Sequence, residues 1–85
     1  SNINTMENKK DILVFLKKEV GEKKVPLNEN LIDNGILDSL NFVKLISKIE
    51  KKYKIKLSSY DISNKKNFAY DKLSDLIIKQ IKKRP

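Results

Sequence analysis

The chain has no cysteine and no histidine. The first absence excludes disulfides, thiolate metal sites and redox chemistry of the chain's own. The second removes the usual general base, the usual partner of a serine nucleophile and the commonest zinc ligand. Self-contained hydrolytic catalysis is therefore not expected. Tryptophan is also missing, and three tyrosines with three phenylalanines leave little material for a base-stacking platform. No apolar run approaches the roughly 20 residues needed to cross a bilayer. No signal-peptide core is seen near the start, so a cytoplasmic protein without stable membrane insertion is expected. The opening SNINT, residues 1–5, reads as an expression remnant, and residues 6–85 read as a single domain.

What is present is lysine. The 85 residues carry a formal net charge of +8, with 35% charged and 39% hydrophobic residues. A chain of this size has room for one modest core, wrapped here in solvated outer faces. The charge by itself admits a nucleic-acid or membrane-surface partner, or simply a solvated lysine coat.

Three segments have helical period. In MENKKDILVFLKKEV, Ile12, Leu13, Phe15, Leu16 and Val20 form an amphipathic stripe, and Gly21 follows as a stop with Lys17 and Lys18 in the last turns. In DSLNFVKLISKIEKKY, Leu40, Val43, Ile46, Ile49 and Tyr53 form a second stripe, widened by Phe42 and Leu45. In YDKLSDLIIKQIKK, Leu73, Leu76, Ile77 and Ile81 form a third. No run alternates with period 2, so strands are not expected. Between the first two helices lies GEKKVPLNENLIDNGILD, long for a structureless connection in a small domain. Leu27, Leu31, Ile32, Ile36 and Leu37 are its candidate anchors. Farther on, SSYDI predicts a short helical turn, with Leu57 and Ile62 facing inward and Phe68 closing the core. Lys82 to Pro85 reads as a frayed basic tail. The expectation is an all-α bundle of three main helices and one short helix, with a long first loop.

The basic residues leave a gap. All 19 lysines and arginines lie at or before Lys24, or at or after Lys44. The window from Val25 to Val43 holds none, and it contains Glu29, Asp33, Asp38 and Ser39. An Asp-Ser pair ahead of an apolar stripe is an ordinary helix start, one of the two capping the orphan N–H groups. A helix start also presents unpaired N–H groups and the positive end of the macrodipole, which suits a phosphate. A hydroxyl there is a natural place to carry a phosphodiester, but it has no base of its own.

LIDNGILDSLNFVKLISKIEKKYKIKL resembles the central stretch of acyl carrier and peptidyl carrier proteins. The resemblance rests on Asp38-Ser39-Leu40, on Leu31, Gly35, Ile36 and Leu37 before it, and on the Val43, Leu45, Ile46 and Ile49 stripe closed by Glu50 and Tyr53. Asn67-Phe68 and a final amphipathic helix with Leu73 and Ile77 extend the likeness to roughly residues 8 to 82. The resemblance implies a small four-helix carrier with 4′-phosphopantetheine attached to Ser39. It also implies that a phosphopantetheinyl transferase, using coenzyme A and normally Mg²⁺, loads the arm. The arm's thiol would hold an acyl or aminoacyl group as a thioester. Partners would then be an acyl- or aminoacyl-activating ligase and downstream acyl-transfer or condensing enzymes, acting on a monomeric carrier. Leu40, Phe42 and Val43 would form the apolar part of the docking face, with Ile36 and Lys44 beside them. For Val43 core packing is the competing role, and for Asp38, expected to support loading, it is capping.

The resemblance has departures. Carriers of bacterial fatty-acid synthesis are strongly acidic, whereas Asn41, Lys44 and Lys51 stand here where acidic residues are common, and Lys48 adds another positive charge. Against a basic partner surface these would meet like charge. GILDSL, with Leu37 before the aspartate, is more similar to D-alanyl carrier proteins and to free-standing carriers of specialised gene clusters. An activating ligase with a neutral or acidic docking face follows from that likeness. Tyr70 stands where a small hydroxyl residue often caps the last helix, and Asp71 is the substitute cap. Three other readings compete: a small basic helical nucleic-acid-binding module, an enzyme using Ser39 as nucleophile, and a degenerate carrier used only for docking.

Overall fold

The structure is a computed structural model, and it describes residues 8–84. The expected boundary at Met6, the segment before it and Pro85 lie outside the described residues. Within them four α-helices and one 3-10 turn occur, and no strand. Helix α1 spans Lys9–Val20, α2 Ser39–Tyr53, α3 Ser59–Ser63 and α4 Tyr70–Lys82, with the 3-10 turn at Lys65–Asn67. The all-α expectation holds, and α3 falls where SSYDI predicted a short turn.

Local chemistry accounts for the boundaries. Asn8 caps α1, its side chain accepting the Asp11 N–H at 2.9 Å. Gly21 ends that helix in the left-handed region at φ +86°, its N–H reaching the Lys17 carbonyl, as its freedom from a Cβ allows. Helix α2 also ends in a left-handed residue, but there it is Lys54, at φ +56°. Helix α4 differs from expectation at its start. Its N-cap is Ala69, with no side-chain cap, and Asp71 lies inside the first turn. Asp71 is drawn away by Lys9, whose Nζ lies 2.6 Å from one of its oxygens and 3.0 Å from Asp75. Those hydrogen bonds hold the Lys9 ammonium above its ordinary pKa and the Asp71 carboxyl below its own. Tyr70 is not a substitute cap either. It is fully buried, and its hydroxyl donates to the Glu22 carbonyl at 2.7 Å. Burial, helped by the Glu22 charge, pushes the phenol's pKa up.

The core is one cluster in which Ile12 and Leu16 of α1 meet Phe42, Leu45, Ile46, Ile49 and Tyr53 of α2 and Tyr70, Leu73 and Ile77 of α4. The first and third stripes are as expected. The second is rotated. Residues 42, 45, 46, 49 and 53 are the buried set, with helical spacing, whereas Leu40 and Val43 stand out in solvent.

The long first loop is tied to the far end of the chain by backbone bonds. The Leu31 N–H donates to the Phe68 carbonyl and the Asp71 N–H to the Leu27 carbonyl, both at 2.9 Å. Leu31 and Leu37 are buried anchors, and Ile32 and Ile36 are partly buried. Leu27 differs, since its side chain is exposed while its carbonyl makes the contact. Asn30 organises the turn: its Oδ1 accepts the Ile32 and Asp33 N–H groups and its Nδ2 donates to the Lys65 carbonyl. The basic tail is not frayed over its described part. Helix α4 reaches Lys82, and Arg84 donates to the Tyr53 carbonyl at 2.6 Å.

Candidate functional site

Ser39 is the first residue of α2 and is exposed. Asp38 is the cap. Its backbone is extended, its Oδ1 accepts the Asn41 N–H at 2.7 Å, and its carbonyl accepts the Phe42 N–H at 2.9 Å. That division of labour leaves the serine hydroxyl uncommitted, with no hydrogen-bond partner among the described residues. The first-turn N–H groups of a helix have no intrahelical acceptors, and the first turn of α2 contains no acidic side chain. A phosphodiester on Ser39 Oγ would therefore meet the positive end of the helix, with the one nearby carboxylate, Asp38, already turned to Asn41. The residues present fit the group.

The Ser39 hydroxyl stands apart from the side chains around it. Among the described residues none is hydrogen-bonded to its hydroxyl, and the chain has no histidine to serve from farther off. What the structure places here is an exposed hydroxyl at a capped helix start, next to an apolar surface.

The surface is made by residues on two elements. Leu40 is 63% exposed and Val43 55%, large apolar side chains in solvent within a turn of Ser39. Ile36 and Lys44 are brought together at a groove of about 220 Å³ between the end of α1 and the first half of α2, with Leu37 and Asn41 beside them. One edge of that groove is the Lys48–Glu19 ion pair at 3.0 Å. Phe42 does not belong to this surface. It is only 4% exposed, and its ring lies 4.6 Å from that of Phe68, inside the core. The expectation for Phe42 as a docking residue is corrected on that ground. For Val43 the competing core role fails, because the side chain points outward.

Sequence reasoning missed the supports of the site. Asn30 was one of several loop asparagines, and nothing singled it out as the residue closing the turn before Gly35. Glu50 figures in the sequence only as a residue closing the α2 stripe, but its Oε2 accepts the Leu57 N–H at 2.8 Å and so fixes the segment after α2. Phe68 was placed in the core, but its pairing with Phe42 was not foreseen.

The site is thus an exposed hydroxyl opening a capped helix in a small all-α bundle. The family model described as "Phosphopantetheine attachment site" matches residues 12–77, well over half of the chain, and the chain belongs to that family. Its members bind 4′-phosphopantetheine covalently on a serine, and they are carrier domains, generally without catalysis of their own. No curated protein and no solved structure matches the chain.

Proposed function

We propose that Ser39 is the attachment serine, and that the protein is an acyl or aminoacyl carrier serving a specialised pathway rather than housekeeping fatty-acid synthesis. One observation carries the assignment: Asp38 takes the cap, so Ser39 is left as a solvent-facing hydroxyl at the positive end of α2. The proton of the Ser39 hydroxyl must leave to a base on the loading transferase, because this chain places none there. Asp38 orients the helix start through Asn41 and contributes the carboxylate nearest the incoming coenzyme A and its metal. The bound group would supply a thiol that holds the cargo as a thioester. Leu40 and Val43 would give partner enzymes an apolar hold next to the arm, and Ile36 and Lys44 would mark the edge of that hold.

The specialised role is supported by the charge of α2. Past the first turn the helix exposes Lys44, Lys48, Lys51 and Lys52, and its one carboxylate, Glu50, is spent on the Leu57 N–H. A ligase with a neutral or acidic docking face suits that helix better than an enzyme with a basic one.

The experiment is modification in vitro. Incubation with coenzyme A, Mg²⁺ and a broad-specificity phosphopantetheinyl transferase should add one phosphopantetheine mass to the wild type and none to Ser39→Ala, which keeps its helical spectrum. A wild type left unmodified by several transferases, or a Ser39→Ala protein still modified, would overturn the assignment.

A further inference from the structure

The ends of α2 and α4 meet. Arg84 donates to the Tyr53 carbonyl, and a shallow cleft at the junction is lined by Lys54, Lys56, Lys83 and Arg84. Lys79 and Lys82 add to it from the last turn of α4. Six cations thus gather at one pole of the molecule from two segments well separated in sequence. One carboxylate lies among them, Glu50, and it is engaged with the Leu57 N–H. The five lysines make no ion pair among the described residues. Helix ends favour a lysine or two each through the macrodipole, but four cations lining one cleft, with two more in the adjoining helical turn, exceed that need.

The chemistry of the pole selects among anionic partners. Protein interfaces are depleted in lysine and enriched in aromatic side chains, and nucleic-acid sites interleave arginine and aromatics with their lysines. Here a single arginine is present. The exposed large apolar residues, Val14, Leu27, Leu40, Val43 and Tyr60, all lie elsewhere. A lysine-dominated cluster of this size, six cations to one carboxylate, matches an anionic lipid surface, where each charge acts on the interfacial potential and no side chain needs to insert. No helix among the described residues is long and apolar enough to cross a membrane, which leaves surface adsorption as the mode of contact.

We infer that this basic pole docks the protein peripherally on anionic lipid bilayers. The orientation follows from α2 itself. Fifteen residues at 1.5 Å per residue put Ser39 about 21 Å along the axis from Tyr53, so the serine end, free of lysine from Val25 to Val43, faces away from the bilayer. The inference does not depend on whether Ser39 is loaded.

Co-sedimentation tests it, with vesicles of about one-third phosphatidylglycerol in phosphatidylcholine and with pure phosphatidylcholine. The wild type should bind only the anionic vesicles and should be released at about 0.5 M salt. A pole variant, Lys54→Gln with Lys56→Gln and Lys83→Gln, should bind on the order of a hundredfold more weakly, at about fivefold per lysine. A control removing the same charge elsewhere, Lys23→Gln with Lys24→Gln and Lys66→Gln, should bind within a few-fold of wild type. All six lysines are exposed and unpaired, so matching melting curves are expected and serve to check folding. Equal losses in the two variants would reduce the binding to diffuse charge and overturn the assignment of the pole. So would duplex DNA or RNA binding that exceeds vesicle binding at the same salt, or no vesicle binding at all.

Discussion

The three neighbouring apolar residues Leu40, Phe42 and Val43 should behave in two opposite ways. Phe42→Ala removes a ring that is 4% exposed and packed at a tilt against Phe68, with centroids 4.6 Å apart. Truncating a buried Phe costs about 3–5 kcal/mol, of which the aromatic pair accounts for about 1 kcal/mol. A domain of this size holds only about 4–13 kcal/mol in total. With Tm falling about 4–8 °C per kcal/mol in domains of 60–100 residues, Phe42→Ala should melt at least about 12 °C below wild type. Leu40→Ala strips a side chain that is 63% exposed. Its cost should stay within about 0.5 kcal/mol, since alanine is at least as good a helix former, and its Tm should move by less than about 4 °C. Thermal unfolding followed by circular dichroism reads both. In a transfer assay on loaded protein the order reverses in meaning: Leu40→Ala should slow delivery by a partner enzyme while leaving the fold intact. Equal losses of stability at Leu40 and Phe42, or a Phe42→Ala protein that melts like wild type, would refute the division of α2 into a docking side and a core side.

Asp38→Ala should lose about 1 kcal/mol by removing the cap on Asn41, whereas Asp38→Asn should keep most of that stability; if loading fails equally in both, the carboxylate acts on the transferase and not only on the helix. Tyr70→Phe should cost about 0.5–1.5 kcal/mol at neutral pH through the lost bond to Glu22. The pH dependence has a definite sign: the folded phenol titrates above its usual 10.0, so wild-type stability is intact below pH 10 and declines as pH rises from there through the folded value. Tyr70→Phe lacks that decline, so urea titrations should show the gap between the two proteins narrowing with alkalinity. Lys54→Gly should raise stability by about 1 kcal/mol, because a left-handed residue at φ +56° carries a strain that glycine does not feel. Glu50→Ala should cost about 1–2 kcal/mol by orphaning the Leu57 N–H, seen as a lower denaturation midpoint.

The helices, the stop at Gly21, a cap supplied by Asp38 or Ser39, and the place of Ser39 at a helix start were legible because each depends on neighbours within a turn in the chain. Period and capping chemistry are local, and so is the Asp-Ser-Leu signature. The facing of Leu40, Phe42 and Val43 was not. LNFV offers apolar side chains at nearly every angle, and the choice between faces falls to Phe68, whose ring receives Phe42. The cap expected of Asp71 failed for a similar reason, since Lys9 lies on another helix and takes the carboxylate. The basic pole was hidden because Lys54 and Lys56 belong to one segment and Lys79 to Arg84 to another. The bond from Arg84 to Tyr53 and the cleft that the two segments line show them to be neighbours.

The loop leading to Ser39 is fastened by groups that are synthesised well after it. Leu31 is held by the Phe68 carbonyl, Leu27 by the Asp71 N–H and Asn30 by the Lys65 carbonyl. A nascent chain that has just passed Tyr53 can already wind α2 around its Asp38 cap, yet the strap before it has nothing to close on. Ser39 reaches its finished setting only when α4 has docked. A transferase that reads the strap as well as the serine would thereby discriminate against chains in which α4 has not yet docked, and attachment of the arm would double as a check on that docking.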